Sequence, residues 1–143
     1  MSEIECIDRD GNVDVFIYRY EKDKLDNNYI WDFNIFPKGD SNIDSFSFSA
    51  TEINLNTIKV TMMKHQEEVI YKAKGIPEKM IEELYKITNK TIISSTNNPK
   101  AKILAEEFRT PQASKVWERL LNNEKAVYDI KNDIYTLKVG GNG

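Results

Sequence analysis

Apolar and polar residues alternate with period two through much of the first 64 positions. The run Val-Asp-Val-Phe-Ile-Tyr-Arg-Tyr, residues 13–20, is β-branched and aromatic, as a strand requires. Asp10-Gly11 is a turn dipeptide between this run and a short apolar segment, residues 4–7, and the three together predict a hairpin. A polar stretch, residues 21–28, then separates the first run from residues 29–36, where Tyr29, Trp31, Phe33 and Ile35 share one face. Pro37 and Gly39 end that strand. Residues 44–50 alternate Ser45, Ser47 and Ser49 with Phe46 and Phe48, the pattern of a strand with one wet face. Residues 57–63 continue with Ile58, Val60 and Met62 on one side, which completes an antiparallel meander.

The period then changes. Across residues 77–88, Met80, Ile81, Leu84 and Ile87 recur at helical spacing. Pro77 suits the first helical position, and Glu78 and Glu82 suit the early turns. Residues 91–93 predict a short buried strand, and residues 100–108 a short helix or helical turn. Thr110-Pro111 is a cap followed by proline, and Ala113, Val116, Trp117, Leu120 and Leu121 form the apolar stripe of a second principal helix. Residues 126–130 and 134–139 flank Lys131-Asn132-Asp133 as a closing hairpin. The expectation is one α+β domain over residues 1–139, with a mainly antiparallel mixed sheet and two principal helices, followed by a flexible tail at residues 140–143.

Composition narrows the function classes. Hydrophobic residues make up 40% and charged residues 30% of 143, enough for a core and too apolar for a disordered chain. The amino-terminus lacks the basic-then-apolar pattern of a signal peptide, and no run reaches membrane-spanning length. Cys6 is the single cysteine, which fits a reducing compartment, so the expected location is cytoplasmic with no membrane partner. Net charge is −3, but residues 1–56 carry 5 Lys+Arg against 12 Asp+Glu, which disfavours nucleic acid as a partner for this half.

The order strands, loop with Gly75, helix, strand, helix, terminal hairpin resembles the second half of the GNAT (N-acetyltransferase) superfamily over residues 57–139. In that family a loop before a helix holds the diphosphate of acyl-coenzyme A on backbone N–H groups. The corresponding stretch here is Lys72-Ala73-Lys74-Gly75-Ile76-Pro77, followed by Glu78-Lys79-Met80. The resemblance implies that Lys72, Lys74, Gly75, Ile76 and Lys79 would contact an acetyl-CoA cofactor if one binds. It further implies a GNAT-like fold that lacks the usual first two helices, since residues 21–28 are too few to form them. Pro77 removes one amide donor and Glu78 places a negative charge where a phosphate would sit. Trp117 stands where the family often has an acidic tyrosine hydroxyl.

These departures favour a non-catalytic protein-binding module on an acetyltransferase-like scaffold, such as an inhibitor from a phage or mobile element, with no cofactor. The alternative is a reduced acyl-CoA-dependent N-acetyltransferase, in which a carboxylate such as Glu52, or a water, takes the acceptor proton. For the binding module, Phe16, Tyr18 and Tyr20 are the expected partner surface, because Val13, Val15 and Ile17 already supply an opposite apolar face. Other motifs read as structural. Asp8, Asp10, Asn12 and Asp14 have calcium-loop spacing but Val13 and Arg19 stand where glycine and glutamate are needed, so no metal site is expected. His65 has no identifiable partner, and Ser94 and Ser95 lack a nucleophile-elbow context and read as strand-end hydrogen bonders.

Overall fold

The computed structural model describes residues 2–8, 10–25, 28–39, 45–64, 74–104 and 107–139. His65, Lys72 and the tail 140–143 lie outside the described residues. Five strands come first: β1 (Ser2–Ile7), β2 (Val13–Leu25), β3 (Asn28–Pro37), β4 (Phe46–Asn54) and β5 (Thr57–Lys64). They are followed by α1 (Ile76–Thr88), β6 (Thr91–Ser94), α2 (Pro111–Asn122), β7 (Ala126–Asp129) and β8 (Ile134–Leu137). The fold is α+β. Its mixed eight-stranded sheet has the order β1-β2-β3-β4-β5-β6-β8-β7 and curls into a half-barrel. Among the described residues, only β5 and β6 pair in parallel; each other neighbouring pair is antiparallel.

The hydrophobic period chooses the faces. Phe16 and Tyr18 of β2, Trp31, Phe33 and Ile35 of β3, and Phe46 and Phe48 of β4 lie on one face, linked by the cross-strand pairs Tyr18↔Ile35 and Phe33↔Phe48. Met80, Ile81 and Leu84 of α1 and Val116, Trp117 and Leu120 of α2 close over that face in one core cluster. On β2 the aromatic residues, and not the valines, face the core, contrary to the expectation that Phe16, Tyr18 and Tyr20 form a partner surface. Phe16 and Tyr18 are each 3% exposed, whereas Val13 is 55% exposed, so the aromatic face turns inward. The larger aromatic side chains remove more apolar area from water than valines do, and they gain ring contacts such as Tyr18–Phe33 at 5.7 Å.

Three further expectations change. The polar stretch 21–28 does not separate two short strands: β2 runs to Leu25 and β3 starts at Asn28, with Lys22↔Trp31 and Lys24↔Tyr29 in register. On β5, Ser49↔Met62 and Ala50↔Val60 leave Thr61 as an extra residue, a β-bulge. The bulge reverses the side-chain phase, so Met63 packs on the core and Met62 is 41% exposed, contrary to the simple alternation. Among the described residues, 100–108 hold no helix, and of the expected helix or helical turn only a turn at 99–101 stands, closed by the Ala101 N–H donating to the Asn98 carbonyl at 3.0 Å. Glu107 takes the backbone N–H groups of Ile103 and Leu104 at 3.0 and 3.2 Å, and those donors are thereby lost to helical bonding.

That segment crosses the opposite face of the sheet. Lys59, fully buried, meets Glu107 at 2.7 Å, and Glu107 also accepts from the Thr96 N–H at 2.8 Å. Because β5 and β6 run the same way, α1 and α2 both begin at the edge where these two strands end.

Candidate functional site

The sequence reading singles out the start of α1 and the aromatic residues of β2, the structure adds a fork between β5 and β6, and the fold separates the three. The first is the start of α1. Gly75 is its N-cap with φ +74°, a left-handed conformation that glycine adopts without a Cβ penalty, and a Cβ there would stand 3.5 Å from the Ile7 carbonyl. Ile76 is fully buried and the Lys79 N–H donates to the Gly75 carbonyl at 3.1 Å. Lys74 turns away to Asp14, 2.8 Å, and Asp8, 3.8 Å. Glu78 in the first turn pairs with Arg119 of α2. Carboxylates of Asp8, Asp14 and Glu78 thus gather around this helix start. Asp8 is also satisfied locally, accepting from the Asp10 and Asn12 N–H groups at 2.9 Å each. Those bonds, the one from Asn12 foremost, hold its carboxyl below the ordinary 3.8.

The second place is the fork between β5 and β6. Their pairing ends at Val60↔Ser94, while β5 continues beside β4 to Lys64. Past that point Ser95 Oγ donates to the Val60 carbonyl at 2.8 Å, and Ser94 Oγ accepts from the Tyr135 N–H at 2.9 Å, the strand-end roles expected of both serines. The strands then part around a cavity of about 410 Å³ lined by residues 60–63, Ser95, residues 108–110, Gln112, Ala113 and Trp117. Trp117 stacks on Tyr135 with ring centroids 6.0 Å apart. Arg109 is the charged residue of the wall, and it is committed to the Ser95 carbonyl, the Asp133 carbonyl and carboxylate, and Ser114 Oγ. The wall is otherwise apolar or hydroxylated, apart from the Gln112 carboxamide. Among the described lining residues there is no carboxylate, imidazole or thiol to carry a proton.

The third place is the end of the helix-covered face beyond α1. Tyr18 lies under α1 and its hydroxyl donates to Glu83 at 3.1 Å. One step further along β2, Tyr20 is 45% exposed, and Tyr29 across the hairpin is 40% exposed. Of the three residues expected to meet a partner, Phe16 and Tyr18 are therefore core and Tyr20 alone stands at the surface. Tyr20 packs on the rings of Trp31 and Phe33 at 5.3 and 5.1 Å. Lys22 Nζ lies 4.4 Å from the Tyr29 ring centroid and 4.9 Å from that of Trp31, within cation–π range. Lys24 Nζ stands 5.8 Å from Tyr29.

Glu52 anchors this end from β4. It accepts from Trp31 Nε1 at 2.7 Å and Lys90 Nζ at 2.9 Å, and Lys22 Nζ is 3.5 Å away. Burial pushes its carboxyl up, but the bonds from Lys90 and Trp31 and the Lys22 charge outweigh it and leave it below its ordinary value. Glu52 sits beside Ile58, where β5 begins, whereas the fork opens where β5 and β6 end. It is thus no base for chemistry in the fork. Sequence reading missed Lys22, Tyr29 and Lys90 as surface residues of one patch. The signal was the alternation Glu21-Lys22-Asp23-Lys24, which sends lysines to one face and carboxylates to the other once the strand is recognised as continuous. No family model, curated protein or solved structure matches the chain.

Proposed function

We propose that this chain is a non-catalytic protein-binding module on a GNAT-like scaffold, acting by occupying a partner protein as an inhibitor does. The observation that carries the reading is the exposed Tyr20 and Tyr29 pair with Lys22 between them, resting on a rigid base of Trp31, Phe33 and Glu52. Interfaces draw their energy from such amphipathic rings set on preorganised supports. The scaffold part of the reading rests on the order of elements after β5: a helix, a strand, a helix and a hairpin. The carboxylates around Gly75 support a binding role over a cofactor-dependent one, because a diphosphate placed there would meet Asp14 and Glu78. The test is capture from a native lysate by the wild-type protein and by a Tyr20→Ala/Tyr29→Ala variant. A stoichiometric partner held by the first and lost from the second is the expected result. Equal recovery by both, or no partner at all, contradicts it.

The fork favours one second reading, a reduced acyl-CoA-dependent acetyltransferase. Its largely apolar cavity suits an acyl arm lying beside the stretch of β5 past Val60, where the pairing with β6 has ended. Calorimetry with acetyl-CoA decides: heat of binding that Gly75→Asp weakens would favour this reading, and the primary reading predicts none.

A further inference from the structure

The β2–β3 hairpin is charged differently on its two faces. Lys22 and Lys24 stand on the aromatic side, and Glu21, Asp23 and Asp32 on the other, with Glu21↔Asp32 directly paired. Lys90 joins the aromatic side from the end of α1, donating to the Leu55 carbonyl and Glu52. At this end of the sheet there are thus three ammonium groups, Lys22 and Lys24 beside Tyr29 and Lys90 behind them, and Glu52 is the carboxylate that Lys22 and Lys90 share. Among the described residues Lys24 makes no ion pair, and it is exposed. This is a local cationic surplus on a protein whose net charge is −3.

From this arrangement, and resting on the binding reading above, we infer that the partner presents an acidic segment with apolar side chains to Tyr20, Lys22, Lys24 and Tyr29. The apolar groups cover the two exposed rings. The carboxylates meet Lys24 and the outward side of Lys22. Opposite charge at the rim guides approach and excludes basic partners, while the rings supply the buried area. Single-stranded nucleic acid also uses aromatic rings and cations, but it needs a cationic groove that tracks successive phosphates, and Lys22 and Lys90 here already face Glu52, leaving Lys24 for one or two carboxylates rather than a phosphate chain.

The test uses three labelled probes on the full chain, read by fluorescence anisotropy at low and at physiological salt. They are a short peptide alternating Glu and Leu, its counterpart with Lys for Glu, and oligothymidylate of similar length. The acidic peptide is expected to bind about tenfold more tightly than the basic one, as two or three exposed charge pairs would give. Its affinity falls as salt rises. Lys24→Glu, a change at an exposed site, weakens it, and so does Lys22→Gln; Glu21→Lys/Asp23→Lys on the opposite face does not. Equal or tighter binding of the basic peptide, no binding of the acidic one, or indifference to Lys24→Glu overturns the inference. Tighter binding of oligothymidylate overturns it in favour of a nucleic-acid partner. Each of these results leaves the capture experiment with Tyr20→Ala/Tyr29→Ala to judge the binding reading separately.

Discussion

Lys59 and Glu107 meet with side chains 0% and 1% exposed, and their roles are unequal. Removing Lys59 leaves Glu107 with three backbone donors, from Thr96, Ile103 and Leu104. Among the described residues, removing Glu107 takes their partner from an ammonium and all three amides. Glu107→Leu is therefore expected to cost about 3–5 kcal/mol, and Lys59→Met less, as read from urea unfolding midpoints. Equal costs would mean that the amides have other partners. Acid should act through the same carboxylate. Burial pushes Glu107 up, but Lys59 and the three amides reverse this and hold it below its ordinary value of 4.5. Asp133 is likewise held below 3.8, its burial outweighed by Arg109, Tyr128 and the Asn97 N–H. In the window between the folded and ordinary values the unfolded chain binds more protons, so stability rises with pH there and is lost as pH falls. The urea midpoint should be level from neutrality to about pH 5 and drop below it. Cys6 offers a simpler check. It is 2% exposed, and burial pushes its thiol up to about 12, so iodoacetamide should leave it unmodified in the native protein at mild alkaline pH and label it in urea.

At the scale of elements, the sequence was legible wherever one period held over a whole segment. The helix at Pro111 was read correctly because the Thr110 cap, whose hydroxyl accepts from the Ala113 N–H at 3.1 Å, and the apolar stripe agree. The terminal hairpin was legible for the same reason. The bulge at Thr61 was not, since one inserted residue changes no composition and only the pairing with β4 reveals it. Nor was the inward face of β2, where both faces of residues 13–20 are apolar and the choice belongs to the helices that cover it. The candidate site fared similarly: Tyr20 was named, but its neighbours come from β3, β4 and the end of α1, brought together only by the sheet. Gly75 gives a prediction at this scale. Gly75→Ala forces a Cβ into the left-handed region and should cost about 1–2 kcal/mol, measured by thermal or urea unfolding. No measurable loss would show that α1 can start elsewhere.

For the molecule as a whole, the uneven charge along the chain becomes an uneven charge across the sheet. The acidic amino-terminal half sends its carboxylates to the face away from the helices at Glu21, Asp23 and Asp32, while lysines gather at the aromatic end. The fork and this aromatic end lie at opposite ends of β5, so a partner and a small ligand would use different places. Their separation permits a direct test of the central claim, that the protein engages its partner through the aromatic end. A photo-crosslinking benzoylphenylalanine is placed at Tyr20, and in a second preparation at Val127, an exposed position on β7. On illumination in native lysate, the account predicts a discrete crosslinked partner from Tyr20 and none from Val127; a partner from Val127 alone, or from neither position, would contradict it.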